Sequence, residues 1–256
     1  MLPLILIVDD DDEILDFLER ILSIKYHILR SENGEDALLV LNRESVQLII
    51  CDVMMPGMDG FEFCKIIKSN FDYSHIPVIL LTAKITIQSK VKGLELGADA
   101  YIEKPFSKEH LFAQIASLLA NRNMVREYFA SSPLVHIKSI AHTKSDERFL
   151  ETLNETIADR IEDTEMDVEK LAGMMNVSRV TLYRKIKAIS NLSPQELINI
   201  IRLKKAAALL AEGDHKIYEI SAIVGYSSQS NFARNFLKQF NMTPTEYMQS
   251  IHPKKR

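Results

Sequence analysis

The stretch Leu4-Ile5-Leu6-Ile7-Val8-Asp9-Asp10 sets five consecutive aliphatic residues directly before two carboxylates. An apolar run this short, with no polar alternation, predicts a strand buried on both faces. Comparable runs follow at His27-Ile28-Leu29, Leu48-Ile49-Ile50-Cys51, Val78-Ile79-Leu80-Leu81 and Tyr101-Ile102. Between them, apolar residues of helical period predict helices near 12–23, 33–44, 59–69, 86–96 and 107–121. Five strands alternating with five helices predict a doubly wound α/β domain, because parallel neighbours need crossover connections that cover both faces of the sheet.

After Pro133 the strand signals stop, and the remainder reads as helical from about Asp146. The domains expected are 1–121, then an extended helix and linker over 122–145, then 146–256. The helical part repeats itself at a period of about 50 residues: Leu171-Ala172 through Arg184-Lys185-Ile186 aligns with Ile220-Ser221 through Arg234-Asn235-Phe236. Each copy predicts a short helix, a turn at Asn176 or Gly225 that tolerates positive φ, and a second helix N-capped by Ser178 or Ser228. Pro194 to Ala211 predicts one connecting helix with Leu197, Ile200, Ile201, Leu203, Ala207 and Leu210 on its apolar face.

Charge is divided as the domains are. Residues 1–123 carry 12 Lys and Arg against 19 Asp and Glu, a net −7, whereas residues 170–256 carry 14 against 5, a net +9. An acidic front and a basic back point to two jobs, and the basic module has the electrostatic footprint of a nucleic-acid binder. No apolar run approaches the roughly 18 to 20 residues that span a bilayer, and the opening turns acidic too soon for a signal peptide, so a cytoplasmic chain is expected. Cys51 and Cys64 lie in apolar runs with no histidine cluster nearby, which predicts reduced core thiols.

Asp9 and Asp10 follow the first strand, Asp52 the third, Thr82 the fourth and Lys104 the fifth. In an open parallel sheet these strand ends face one crevice, where ligands bind. Clustered carboxylates repel one another, and the usual remedy is a hard cation held by oxygens; Mg2+ takes one or two carboxylates together with phosphate oxygens and water. The pattern therefore calls for a metal and a phosphoryl group. None of the seven histidines sits in a kinase-type phosphorylation helix and no glycine-rich nucleotide loop is present, so the phosphoryl donor lies elsewhere.

The strings ILIVDDD, CDVMMPGMDG, LLTA and YIEKPF, in this order and spacing, resemble the receiver domain of two-component response regulators over residues 3 to about 121. The resemblance implies strand order 2-1-3-4-5. It also implies that Asp52 accepts the phosphoryl group, that Asp10, Asp52 and the Met54 carbonyl bind Mg2+ directly, and that Asp9 helps through water. Lys104 and Thr82 would contact phosphoryl oxygens, Tyr101 would be the aromatic switch, and Lys104-Pro105 would be a cis peptide. A phosphohistidine donor of a histidine kinase is the implied partner, and the receiver assists its own phosphorylation without being a conventional enzyme.

Residues 167–248 resemble the AraC-type DNA-binding domain, carried by VSRVTLYRKIKAISNLSPQELINIIRLKKAAALL and EISAIVGYSSQSNFARNFLKQFNMTPTEY. In such a module the second helix of each copy enters a major groove of double-stranded DNA. With Leu182 and Ile186 turned inward, the first leaves Arg179, Val180, Tyr183, Arg184 and Lys187 outward. With Phe232 and Phe236 inward, the second leaves Gln229, Ser230, Asn231, Arg234 and Lys238. Arginine suits guanine and glutamine suits adenine, which nominates Arg184, Arg234 and Gln229 as base readers. Lys185, Lys187 and Lys238 are assigned to phosphates.

The order of modules resembles the C-terminal end of hybrid two-component sensors of Bacteroides-like bacteria, so a piece of such a protein is favoured slightly over a free-standing regulator. RNA polymerase is a candidate partner. An aspartate-based phosphatase shares the acidic site but leaves the basic repeat unexplained, and a phosphorylation-dependent protein-binding adaptor, which also shares the receiver, would be favoured by failure to bind DNA while phosphorylation is retained. Finally, Leu111, Ile115, Leu118, Arg122, Val125 and Phe129 are spaced as a coiled-coil seam. The early members must pack this helix on the receiver sheet, which leaves only the part beyond Leu118 for a second chain; the resemblance implies that phosphorylation rearranges the face of the fourth helix, fifth strand and fifth helix, so a homodimer through that face, assisted by residues 122–129, is expected on phosphorylation.

Overall fold

The computed structural model describes residues 2–83, 95–132 and 135–251, which fall into two compact units, Met1–Asn123 and Met124–Arg256. In the first, strands β1 (Leu4–Val8), β2 (His27–Ser31), β3 (Leu48–Asp52), β4 (Val78–Thr82) and β5 (Ala100–Glu103) form one parallel sheet of order β2-β1-β3-β4-β5. This is the doubly wound architecture and order expected. The described helices of this unit are α1 (Asp12–Leu22), α2 (Gly34–Arg43), α3 (Gly60–Ser69) and the first turns of α4 (Lys108–Ser131). The helix expected over 86–96 lies almost wholly outside the described residues.

The continuous apolar runs are explained by two cores. Ile5 and Ile7 of β1 join Ile50 and Leu81 beneath α1 and α4, where Leu15, Leu18, Leu111 and Ile115 are buried. The alternate residues Leu6 and Val8 join Ile49, Cys51 and Leu80 beneath α2 and α3, with Ala37, Leu41, Phe63 and Ile67. Both sets of a strand's side chains are thus out of water, which removes the alternation that a half-exposed strand would show.

The second unit is helical. After the end of α4 come a 3-10 turn (Ile137–Ile140), α5 (Lys144–Ala158), α6 (Val168–Met174), α7 (Arg179–Ser190), α8 (Pro194–Glu212), α9 (Ile217–Ile223), α10 (Gln229–Phe240) and α11 (Pro244–Ile251). The repeat is visible in its punctuation. Ser178 and Ser228 N-cap α7 and α10 by accepting from Thr181 and Asn231 backbone N–H groups, and Asn191 and Asn241 end them in the left-handed conformation. Each copy then restarts at Ser193-Pro194 or Thr243-Pro244, where Glu196 and Glu246 bond back to the backbone N–H of Ser193 and Thr243. Leu203, Leu210, Ile220, Phe232, Phe236 and Phe240 form the core between α8, α9 and α10.

Two expectations change here. The boundary falls after Asn123, and Phe129, Ile137 and Ile140 are buried, so from Met124 onward the stretch read as extension and linker belongs to the helical unit. The seam of a dimer is also not what α4 offers. Arg122 is buried with its guanidinium 3.1 Å from Asp99, and Phe129 is fully buried under the Lys204 ammonium, 4.5 Å from the ring centroid. Both seam positions are already spent within the chain.

Candidate functional site

Four strand ends build the acidic site. Asp9 leaves β1 directly, Asp52 and Thr82 are the last residues of β3 and β4, and Lys104 follows β5 with its N–H donating to the Thr82 carbonyl at 2.7 Å. Asp9, Asp52 and Thr82 are buried, while Asp10 is exposed beside them. The Lys104 ammonium bridges the two buried carboxylates, at 2.9 Å from Asp9 Oδ2 and 2.5 Å from Asp52 Oδ1. The second Asp52 oxygen accepts the Met54 N–H at 2.5 Å, and Asp9 Oδ1 accepts the Asp11 N–H at 3.1 Å. Lys104-Pro105 is cis.

The loop after Asp52 has little room. A Cβ at Gly60 would stand 2.1 Å from the Asp52 carbonyl oxygen, so only glycine lets the start of α3 lie against the end of β3. Gly57 in the same loop takes φ +75°, a conformation that side chains resist. The sequence CDVMMPGMDG is thus a backbone requirement as well as a set of side chains.

Burial holds the Asp9 carboxyl above its ordinary range, although Lys104 and the Asp11 N–H pull it down. Burial would likewise weaken the Lys104 ammonium, but its bonds to Asp52 and Asp9 outweigh that and hold it above the usual lysine value. A carboxylate still penalised beside its one ammonium calls for more positive charge. Among the described residues no cluster of three or more His, Cys, Asp or Glu side chains could by itself hold a metal. Mg2+ asks for less: one or two carboxylates, completed by a carbonyl, water or phosphate oxygens. The all-oxygen donor set at the two converging carboxylates fits that requirement.

Tyr101 is half-buried on β5 with its ring centroid 6.4 Å from that of Phe61. Among the described residues its buried hydroxyl has no hydrogen-bond partner, and burial raises the phenol well above its usual value. Met54 is exposed. Cys51 and Cys64 are buried free thiols, both raised by burial, Cys64 to about 11.

On α7, Arg179, Val180, Tyr183 and Lys187 are exposed and Arg184 is partly so, while Leu182 and Ile186 are buried. On α10, Gln229, Ser230, Asn231, Arg234 and Lys238 are all exposed over buried Phe232 and Phe236. Each set therefore lies on one outward face. Val180, 73% exposed, is an apolar side chain held in water at the start of a helix. Lys185 departs from its assignment to phosphate. Its side chain is fully buried and paired with the equally buried Asp146 of α5 at 2.7 Å, so it cannot reach a ligand.

Sequence reasoning missed two anchoring groups. Asp99 accepts from Lys68 Nζ at 2.6 Å, from Arg122 at 3.1 Å and from the Val78 N–H at 2.9 Å, tying α3 and α4 to the sheet. Arg126 reaches the last carbonyls of α7, Ala188 at 2.5 Å and Ile189 at 2.8 Å. Both partnerships join residues far apart in sequence and leave no local pattern.

The response regulator receiver domain matches residues 5–116 and a helix-turn-helix domain matches residues 171–250. A histidine kinase of Formosa agariphila, named P4, is 39% identical over 243 residues, which is 95% of this chain and 18% of that protein. An uncharacterized transcriptional regulatory protein of Bacillus subtilis, YrkP, is 40% identical over 122 residues, 48% of this chain and 52% of that one. The crystal structure of response regulator DrrB of Thermotoga maritima is 36% identical, covering 47% of this chain and 54% of that one with a TM-score of 0.44. The chain spans between about a fifth and a half of the curated relatives named here. With a receiver on its acidic unit and an AraC-type helix-turn-helix module on its basic one, the chain belongs to the two-component response regulators.

Proposed function

We propose that the chain is a transcription regulator in which phosphorylation of Asp52 controls sequence-specific binding of double-stranded DNA by α7 and α10. The observation that carries this reading is the Lys104 ammonium bridging Asp9 and Asp52 at the ends of the strands. Asp52 Oδ1 attacks the phosphorus of a phosphohistidine, the P–N bond breaks, and the imidazole leaves with the bonding pair as an acyl phosphate forms. Lys104 turns from the carboxylate to a phosphoryl oxygen, and the Thr82 hydroxyl donates to another. Asp10, Asp52 and the Met54 carbonyl would hold Mg2+ directly, with Asp9 assisting through water. Bound there, the metal would neutralise charge on the equatorial oxygens.

In the basic module, Arg179, Val180, Tyr183, Arg184 and Lys187 would enter one major groove and Gln229, Ser230, Asn231, Arg234 and Lys238 the next. Arg184→Ala and Arg234→Ala should each cost about 1–3 kcal/mol and relax preference at different base positions. The phosphoryl step is tested with acetyl phosphate and Mg2+: intact-mass spectrometry should find one added phosphoryl group in the wild type and none in Asp52→Asn. Equal phosphorylation of the variant would contradict the assignment.

A further inference from the structure

Helix α4 ends inside the helical unit, and its last turns are tied to both reading helices there. Arg126 donates from Nε to Ile189 O at 2.8 Å and from Nη2 to Ala188 O at 2.5 Å. These carbonyls belong to the last turn of α7, where a helix has no internal donors left and its dipole end is negative, so a guanidinium is the fitting cap. The bonds also run the other way. Gln239, in the last turn of α10, donates to the Ala130 carbonyl, and Lys204 of α8 donates to the Ser132 carbonyl just past the end of α4. Phe129 is fully buried, with the Lys204 ammonium over its ring. Residues 126–132 thus join α7 through the carbonyls at its own end, and α8 and α10 through side chains that donate to the carbonyls at the end of α4.

We propose that Arg126 and Gln239 are positioning residues that fix the separation of the two reading helices, and so the spacing of the two DNA half-sites. The inference rests on the reading of α7 and α10 as the DNA-contacting helices. Neither residue touches DNA in this account; each acts through a helix end.

The test uses the full chain and a duplex selected from random DNA by the wild type, with one to three base pairs inserted or removed between its halves. Fluorescence anisotropy at fixed salt reads the affinity. Arg126→Ala and Gln239→Ala should each bind the selected duplex about tenfold more weakly. Both should lose the wild type's sensitivity to spacing, while affinity for either half-site alone is unchanged. Arg126→Lys, which keeps a cation at the α7 end, should recover part of the spacing preference. Unaltered spacing preference in both alanine variants would overturn the proposal. So would an equal loss on isolated half-sites, which would place the damage in the reading helices themselves. A wild type that selects no sequence would instead remove the functional reading, a result distinct from either.

Discussion

The Lys185–Asp146 pair shows what one residue can hide. Lys185 lies between the inward Leu182 and Ile186 along α7, so its own helix leaves its direction undecided, and its partner is 39 positions away. Removing one member strands a buried charge. Lys185→Met should therefore cost about 3–5 kcal/mol in urea unfolding, whereas Lys185→Met with Asp146→Leu should recover most of the loss. Lys204 supplies a pH test. Burial lowers its ammonium from 10.5 to about 8. The folded state then gives up this proton before the unfolded chain does, so the stability of the wild type rises between about pH 8 and 10.5. Lys204→Met lacks that contribution, and the stability of the wild type relative to the variant should climb from pH 7.5 to 9.5. A constant difference would show that the ammonium is not held out of water. The acidic site was legible at this scale because each member ends an apolar run; Arg126 was not, because its acceptors are backbone carbonyls that carry no sequence signature.

At the scale of elements, strands and caps were the legible parts and the fate of α4 was not. Strands β1, β3 and β4 announce themselves because burial on both faces leaves no polar residue within them before the last positions of β3 and β4, Asp52 and Thr82. The repeated helices announce themselves through local chemistry at their ends, Ser178 and Ser228 at one and Asn191 and Asn241 at the other. Asn241→Ala should cost about 1 kcal/mol, since alanine is strained at φ 56°, and Asn241→Gly should cost little or nothing. Asn191 should behave alike, and an equal cost for glycine and alanine in urea unfolding would contradict the cap argument. The 4-3-4-3-4 spacing along α4 assigns its early members to the sheet and leaves the part beyond Leu118, with Arg122, Val125 and Phe129, for a second chain. The same spacing serves a helix that buries Leu111 and Ile115 against the sheet and Phe129 within the helical unit, because periodicity reports a face and not what covers it.

For the whole molecule, the division of charge between an acidic unit and a basic one agrees with the division of chemistry. Among the described residues no helix is long and apolar enough to cross a membrane. The central claim is that the state of Asp52 sets the affinity of α7 and α10 for DNA, a coupling free energy that reaches about 1–3 kcal/mol, or roughly 5- to 150-fold, in regulated proteins. The most direct measurement is fluorescence anisotropy of a duplex selected by the wild type, titrated in Mg2+ with and without beryllofluoride as the acyl-phosphate mimic. The account predicts that beryllofluoride shifts the wild-type binding curve by at least about fivefold and leaves the curve of Asp52→Asn unmoved. Superimposable wild-type curves, or an equal shift in Asp52→Asn, would contradict it.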